Sequence, residues 1–322
     1  MKKPIALFLD RTSLYPDDLD FSALDDVANW QWFDNANVGD IQHNLADAEI
    51  IVSNKVVINR LVIETCKQLK LICVAATGVN NIDIEAANQR GIKVCNVRAY
   101  ATASVVQHVF SLLFSLNRKL FSYRQSVIDG DWSHSDFFCY FGQPISDLEG
   151  KTLGIIGYGE LGRAVAKIAK CFGMKVLLAQ SHNAGVEEAS QKDRVDLTAL
   201  LSASDVVTLH CPLTASNRHM IAENELALMK SDAILINTAR GGLVDEAALL
   251  DALKNRQIGG AALDVLEQEP PSINHPLINF HADNFIITPH IAWASQQSRQ
   301  KLVNEIARNI VAYQQGQLRN II

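Results

Sequence analysis

Residues 151–162 read KTLGIIGYGELG, and the fold turns on them. A short apolar run at 153–156 leads straight into Gly157-x-Gly159-x-x-Gly162, and the chain then reads as helix over 163–172. The first glycine allows the tight turn, the second lets a pyrophosphate approach bare backbone, and the third lets helix and strand pack closely. The phosphates then meet the positive end of the helix. A lone GxGxxG is only a backbone turn; the strand before it and the helix after it make it a dinucleotide signal.

Beyond this turn, strands are expected at 175–179, 206–210, 234–237, 261–265 and 285–288, with helices at 197–203, 223–229 and 245–255. Asp245 and Glu246 open the last of these, as suits a helix N-terminus. Six strands in βα order describe a doubly wound parallel sheet with its ligand at the carboxyl edge. Before the turn the same rhythm runs through strands at 5–9, 50–53, 71–75 and 92–96 and helices at 59–69 and 84–90, forming an α/β unit without a glycine fingerprint. Residues 101–120 form an apolar helix with almost no polar face, read as buried between layers or domains; His108 within it is taken as a satisfied polar group without a role. Residues 121–150 are aromatic and irregular. Trp132, Phe137, Phe138, Tyr140 and Phe141 would suit either a dimer surface or local packing. A closing helix at 294–315 is expected to return to the first unit, so that two chain crossings frame a cleft.

The 322 residues are 48% hydrophobic and 20% charged, which suits two globular domains. With a net charge of −6 and no Lys/Arg block, nucleic acid or an anionic membrane is not the expected partner. The first apolar run ends at Asp10-Arg11, too short for a signal segment, and no stretch approaches membrane-spanning length. Cysteines 66, 73, 95, 139, 171 and 211 show no CxxC and no metal-like grouping with histidine, so they read as buried free thiols of a cytoplasmic protein.

Four residues follow predicted strands on the edge that carries the glycine turn: Arg240 in INTARGG, Asp264 in LDV, Glu269 before Pro270-Pro271, and His290 in TPHIAW. Singly they read as a loop ion pair, a helix cap, a solvated carboxylate and an ordinary histidine. Together they supply a carboxylate binder, a proton donor and a group to keep that donor charged. Moving a hydride onto a ketone leaves an alkoxide that needs a proton, and a histidinium supplies it near neutrality. A neighbouring carboxylate favours the charged ring, and arginine's fixed fork matches a substrate carboxylate. These residue types suggest reduction of a 2-keto acid to a 2-hydroxy acid.

The runs VAATGVNNID (74–83), GYGELG, HCPLT (210–214), INTARGG, ALDVLEQEP (262–270) and TPHIAWAS (288–295) together resemble the D-isomer-specific 2-hydroxyacid dehydrogenase family across essentially the whole chain. The Trp in HIAW is most similar to the glycerate dehydrogenase/hydroxypyruvate reductase branch. The resemblance implies two Rossmann-like, doubly wound α/β domains: a flavodoxin-like substrate-binding domain at 1–100 and 291–322, and an NAD(P)-binding domain at 101–290. It implies that Arg240 binds the substrate carboxylate and polarises the keto oxygen. His290 would be acid in reduction and base in oxidation, held protonated by Glu269. Ala76, Thr77, Gly78 and Val79 would cradle the substrate carboxylate. Asp264 would anchor the nicotinamide carboxamide, with Thr102 near that end. Cys211-Pro212 would flank the adenine, Thr238-Ala239 the nicotinamide ribose, and Glu160 and Leu161 would complete the phosphate turn. A homodimer is also implied.

One departure concerns the cofactor. About 20 residues past the glycines an Asp or Glu normally binds the 2′-hydroxyl of NAD; here the residues are Ala179-Gln180-Ser181-His182. Nothing there repels a 2′-phosphate, yet no Arg or Lys is adjacent, Lys192 and Arg194 lying further on. NAD is expected, with NADP possible. The rival expectations are a D-lactate or phosphoglycerate dehydrogenase, for which Lys55 is the conspicuous extra cation, and a non-catalytic nucleotide sensor like the family's corepressors.

Overall fold

A computed structural model describes residues 3–37, 39–181 and 193–322. The chain divides into two compact units, one of residues 1–101 and 294–322, the other of residues 102–293.

The first unit holds β1 (Ile5–Phe8), α1 (Ser22–Asp25), β2 (Asn29–Trp32), α2 (Gln42–Asp47), β3 (Ile50–Ser53), α3 (Arg60–Thr65), β4 (Leu71–Val74), α4 (Ile84–Gln89) and β5 (Lys93–Cys95). Its sheet is parallel, in the order β2-β1-β3-β4-β5. β3 and β4 are apolar at nearly every position because both faces are covered. β2 was not anticipated. Its NWQW is a half-polar edge strand of only four residues, with Trp30 and Trp32 on one face, stacked on each other beside Phe8.

The second unit runs α5 (Thr102–Asn117), α6 (Leu120–Asp129), β6 (Thr152–Ile156), α7 (Glu160–Cys171), β7 (Lys175–Leu178), α8 (Leu197–Ala203), β8 (Val206–Leu209), α9 (Glu223–Leu228), β9 (Ile234–Asn237), α10 (Glu246–Lys254), β10 (Gly260–Leu263) and β11 (Phe285–Ile287). The sheet order is β11-β10-β9-β8-β6-β7, again parallel, so the turn after β6 lies where the winding reverses between β6 and β8. α11 (Gln296–Gln314) belongs to the first unit and packs on α1 and β4.

Side-chain caps set the starts of several helices: Asn59 for α3, Asp83 for α4, Asp196 for α8, Asp245 for α10 and Ser295 for α11. Two expectations need correcting. Residues 120–129 form α6 rather than irregular chain, closed by Gly130 in the left-handed region (φ 87°); none of its side chains is buried, which blurs the apolar periodicity. The cysteines are free, but only Cys66, Cys73 and Cys95 are buried, and Cys171 is exposed. No helix among the described residues is long and apolar enough to cross a membrane.

Candidate active site

The glycine turn is built by close approach. Gly157 has φ 97°, and a β-carbon there would meet the Cys211 amide nitrogen at 2.5 Å. At Gly162 it would lie 2.1 Å from the Gly157 carbonyl oxygen, so helix and strand touch only because both residues lack side chains. Gly159 differs: nothing lies within 4 Å of where its β-carbon would be, and as N-cap of α7 it offers no side chain to the first helical amides. Those amides, in Glu160, Leu161 and Gly162, have no intrahelical acceptor. Bare backbone, open space and a helix N-terminus together fit the pyrophosphate of a dinucleotide. The Glu160 carboxylate accepts from Thr102 at the start of α5.

Past β8, His210 and Cys211 press against Gly157. His210 Nε2 lies 3.0 Å from Thr208 Oγ1, and its shielded Nδ1 has no partner among the described residues. Burial drives the His210 pKa down to about 4 and raises the Cys211 thiol to about 11. The Pro212 carbonyl accepts from Asn217. Thr238, after β9, likewise has a shielded hydroxyl without a partner among the described residues.

At the end of β7, Gln180 donates its amide to Val195 (2.8 Å), and a bridge pairs Ala179 with Val195. This return brings Arg194 back to the nucleotide edge, its guanidinium 5.9 Å over the ring of Tyr158 inside the glycine turn. Sequence distance concealed this. Ser181 lies past the end of β7 and is the last residue described before residue 193; His182 and Lys192 lie outside the described residues.

Asn237 closes β9 by donating to the Arg240 carbonyl and accepting from the Ala239 amide. Arg240 is exposed, donates to the Ala239 carbonyl at 2.6 Å, and has no carboxylate partner among the described residues. The next residue, Gly241, lies directly on the backbone of Leu266, where a β-carbon would be 1.9 Å from the carbonyl carbon. The arginine loop is thus seated on the loop that leads to Glu269. Glu269 Oε1 accepts the Leu266 amide at 2.9 Å, and Oε2 lies 2.6 Å from Nδ1 of His290. The Glu267 amide donates to Glu246, and Arg218 and His219 pair with the Glu267 carboxylate.

His290 occupies the left-handed region (φ 55°), an uncommon conformation for a residue with a β-carbon. Its amide donates to the Thr288 carbonyl, and its own carbonyl accepts from the Trp293 indole. Asp264, fully buried at the end of β10, accepts from Thr288 Oγ1 (2.6 Å) and from the amides of Ile291 (2.9 Å) and Ala292 (2.8 Å). Burial opposes its charge, but hydrogen bonding from His108, Thr288, Ala292 and Ile291 outweighs that, and its pKa is lowered. Thr288 escaped notice in the sequence, since a threonine at a strand end carries no signal of its own.

In the first unit, the turn after β4 has its carbonyls taken up: Ala76 by the Val97 amide, Thr77 by Asn96, and Val79 by the Ile82 amide. Gly78 lies at its centre. Lys55 lines an open polar crevice of about 540 Å³ with Asp10, Thr12, Ser13, Asn35 and Asn37; the Ala76–Val79 turn is not part of that lining.

Comparison with known proteins agrees with this edge of the second unit. The sequence model described as "D-isomer specific 2-hydroxyacid dehydrogenase, NAD binding domain" matches residues 110–292. The chain belongs to the D-isomer-specific 2-hydroxyacid dehydrogenase family. It is therefore an NAD-dependent oxidoreductase of 2-hydroxy acids, built on two doubly wound parallel sheets. The chain is 44% identical over 318 residues to a glycerate dehydrogenase of Methylorubrum extorquens, covering 98% of each chain. It is 36% identical over 317 residues to a hydroxypyruvate reductase of Blautia hydrogenotrophica, again covering 98% of each. Among solved structures, a D-lactate dehydrogenase from Aquifex aeolicus complexed with NAD and lactic acid superposes with a TM-score of 0.83 at 28% identity, over 99% of this chain and 98% of that one.

Proposed function

We propose that this dehydrogenase reduces hydroxypyruvate to D-glycerate, with glyoxylate as a second substrate, and that His290, Glu269 and Arg240 carry the reaction. The observation that supports the chemistry is the 2.6 Å pair between His290 Nδ1 and Glu269; the relatives named glycerate dehydrogenase and hydroxypyruvate reductase support the substrate.

NADH, when bound, supplies the hydride. With the Nδ1 proton directed at a carboxylate, Nε2 is the nitrogen of His290 that delivers a proton to the oxygen of the reduced carbonyl. Glu269 fixes that orientation and stabilises the charged ring, as the carboxylate of a hydrolase triad does for its histidine. The Arg240 fork holds the substrate carboxylate and draws charge toward the keto oxygen. The amides of the Ala76–Val79 turn are assigned to substrate carboxylate binding. In oxidation His290 works in reverse, accepting the hydroxyl proton.

For the cofactor, Gly157, Gly159, Glu160, Leu161 and Gly162 hold the pyrophosphate. Thr102, Thr238, Ala239 and Asp264 serve the nicotinamide half, and Gln180, Ser181, Cys211 and Pro212 the adenosine half. NADH is the main cofactor, and NADPH is tolerated because Gln180 and Ser181 stand where a repelling carboxylate would be and Arg194 returns beside them. The exposed Trp132, Phe137, Phe138 and Phe141 suit a homodimer contact, Phe138 being 92% exposed. The buried free thiols suit a reducing cytoplasm. Steady-state kcat/KM for hydroxypyruvate, glyoxylate, pyruvate and phosphohydroxypyruvate, each with NADH and NADPH, tests this reading. Hydroxypyruvate with NADH is expected to rank first; a higher value for pyruvate or the phosphorylated acid would replace the substrate assignment.

A further inference from the structure

α5 carries two polar side chains one turn apart, Ser104 and His108, and a spacing of four puts them on one face of the helix. Both reach the same short loop. Ser104 Oγ donates to the Ala292 carbonyl at 2.7 Å. His108 Nε2 lies 2.9 Å from Thr288 Oγ1. Thr288 Oγ1 in turn lies 2.6 Å from Asp264 Oδ1, and an ionised carboxylate only accepts. A hydroxyl has a single proton, so Thr288 gives it to Asp264 and accepts from His108. The His108 proton on Nε2 is thereby assigned.

Asp264 completes the circuit through the amides of Ile291 and Ala292. The residues tied down, 288, 291 and 292, bracket His290. His290 itself sits at φ 55°, a strained conformation for a residue with a β-carbon that persists only where the surroundings hold it. A polar side chain merely satisfied inside a helix interface would need only one partner of any kind. Here two side chains at helical spacing, and the carboxylate between them, converge on the five residues around the proton donor.

We propose that His108, seconded by Ser104, is a positioning residue: it holds the 288–292 loop so that the His290 ring meets Glu269 and points Nε2 at the substrate. This rests on the reading of His290 as the proton donor. Leucine at position 108 removes the donor to Thr288; glutamine can place an amide N–H near the position of Nε2.

The experiment compares wild type, His108→Leu, His108→Gln, His290→Ala and His108→Leu/His290→Ala in hydroxypyruvate reduction, with NADH affinity measured separately by fluorescence titration. His108→Leu is expected to lower kcat by about 10- to 100-fold while NADH affinity stays within about threefold, and His108→Gln to recover most of the rate. In the His290→Ala background, His108→Leu is expected to change kcat by less than about twofold, since its effect runs through His290. An equal loss in both backgrounds, or a fall in NADH affinity matching the fall in kcat, would overturn the proposal. A second readout needs no turnover: in ¹H–¹⁵N imidazole spectra, assigned with His290→Ala, the His290 signals should shift in His108→Leu and return in His108→Gln. Unchanged His290 signals would overturn positioning even if the protein reduced no 2-keto acid, a result that would separately refute the proposed function.

Discussion

Replacing Glu269 by glutamine takes one acceptor from a carboxylate whose two oxygens are both engaged. Oε1 accepts the Leu266 amide at 2.9 Å and Oε2 receives Nδ1 of His290 at 2.6 Å. Glutamine keeps one oxygen and turns an NH₂ toward the other donor, so one of the two contacts becomes donor against donor. If the backbone contact survives, His290 loses its partner. A hydrogen bond to a charged group contributes about 1.5–3 kcal/mol, and both side chains are about a third exposed, which favours the lower half of that range. At 1.4 kcal/mol per decade, Glu269→Gln should lower the kcat of reduction by about 10- to 30-fold near neutral pH. NADH consumption at 340 nm with saturating hydroxypyruvate, followed from pH 5.5 to 8.5, measures this. A Glu269→Gln rate within twofold of wild type across that range would refute the coupling.

Gly159→Ala meets no atom within 4 Å and needs no unusual φ, so the melting temperature should stay within about 2 °C while NADH affinity falls by about tenfold or more, the methyl lying where the pyrophosphate approaches. Unchanged affinity would remove the turn from the cofactor site. Arg194→Glu should weaken NADPH binding by about tenfold or more and leave NADH within about threefold; equal effects on both would separate Arg194 from the 2′ position. His210, lowered to about 4 from an ordinary 6.5, is neutral in the folded protein, so on acidification the unfolded chain takes up the proton first. Its stabilising contribution is whole above pH 6.5 and lost as pH falls toward 4, by up to about 3 kcal/mol. Urea midpoints at pH 7 and 4.5 for wild type and His210→Gln should show the variant losing less on acidification; equal losses would contradict this.

The parallel strands were legible because burial on both faces writes them as plain apolar runs, as in Ile50–Ser53 and Ile234–Asn237. The glycine turn was legible because close backbone approach has only one residue type as its solution. β2 was not, since an edge strand of tryptophans and amides lacks that signature, and α6 was not, since it buries nothing. At the candidate site, residues with distinctive chemistry could be picked out singly, but what holds them in place could not. His108 looks like any histidine in an apolar helix until Thr288, 180 residues on, is found 2.9 Å away. Arg194 reads as remote from Gln180 until the Val195 bridge folds it back. Partners set by tertiary contact leave no trace in local spacing.

The central claim is that a proton from His290 completes reduction of a small 2-keto acid to the D-hydroxy acid. Chiral chromatography of the product formed from hydroxypyruvate and NADH tests it most directly. D-glycerate is expected in one-to-one proportion with NADH oxidised, formed about 10²–10⁴-fold more slowly in His290→Ala. L-glycerate, or unimpaired D-glycerate formation in that variant, would contradict it.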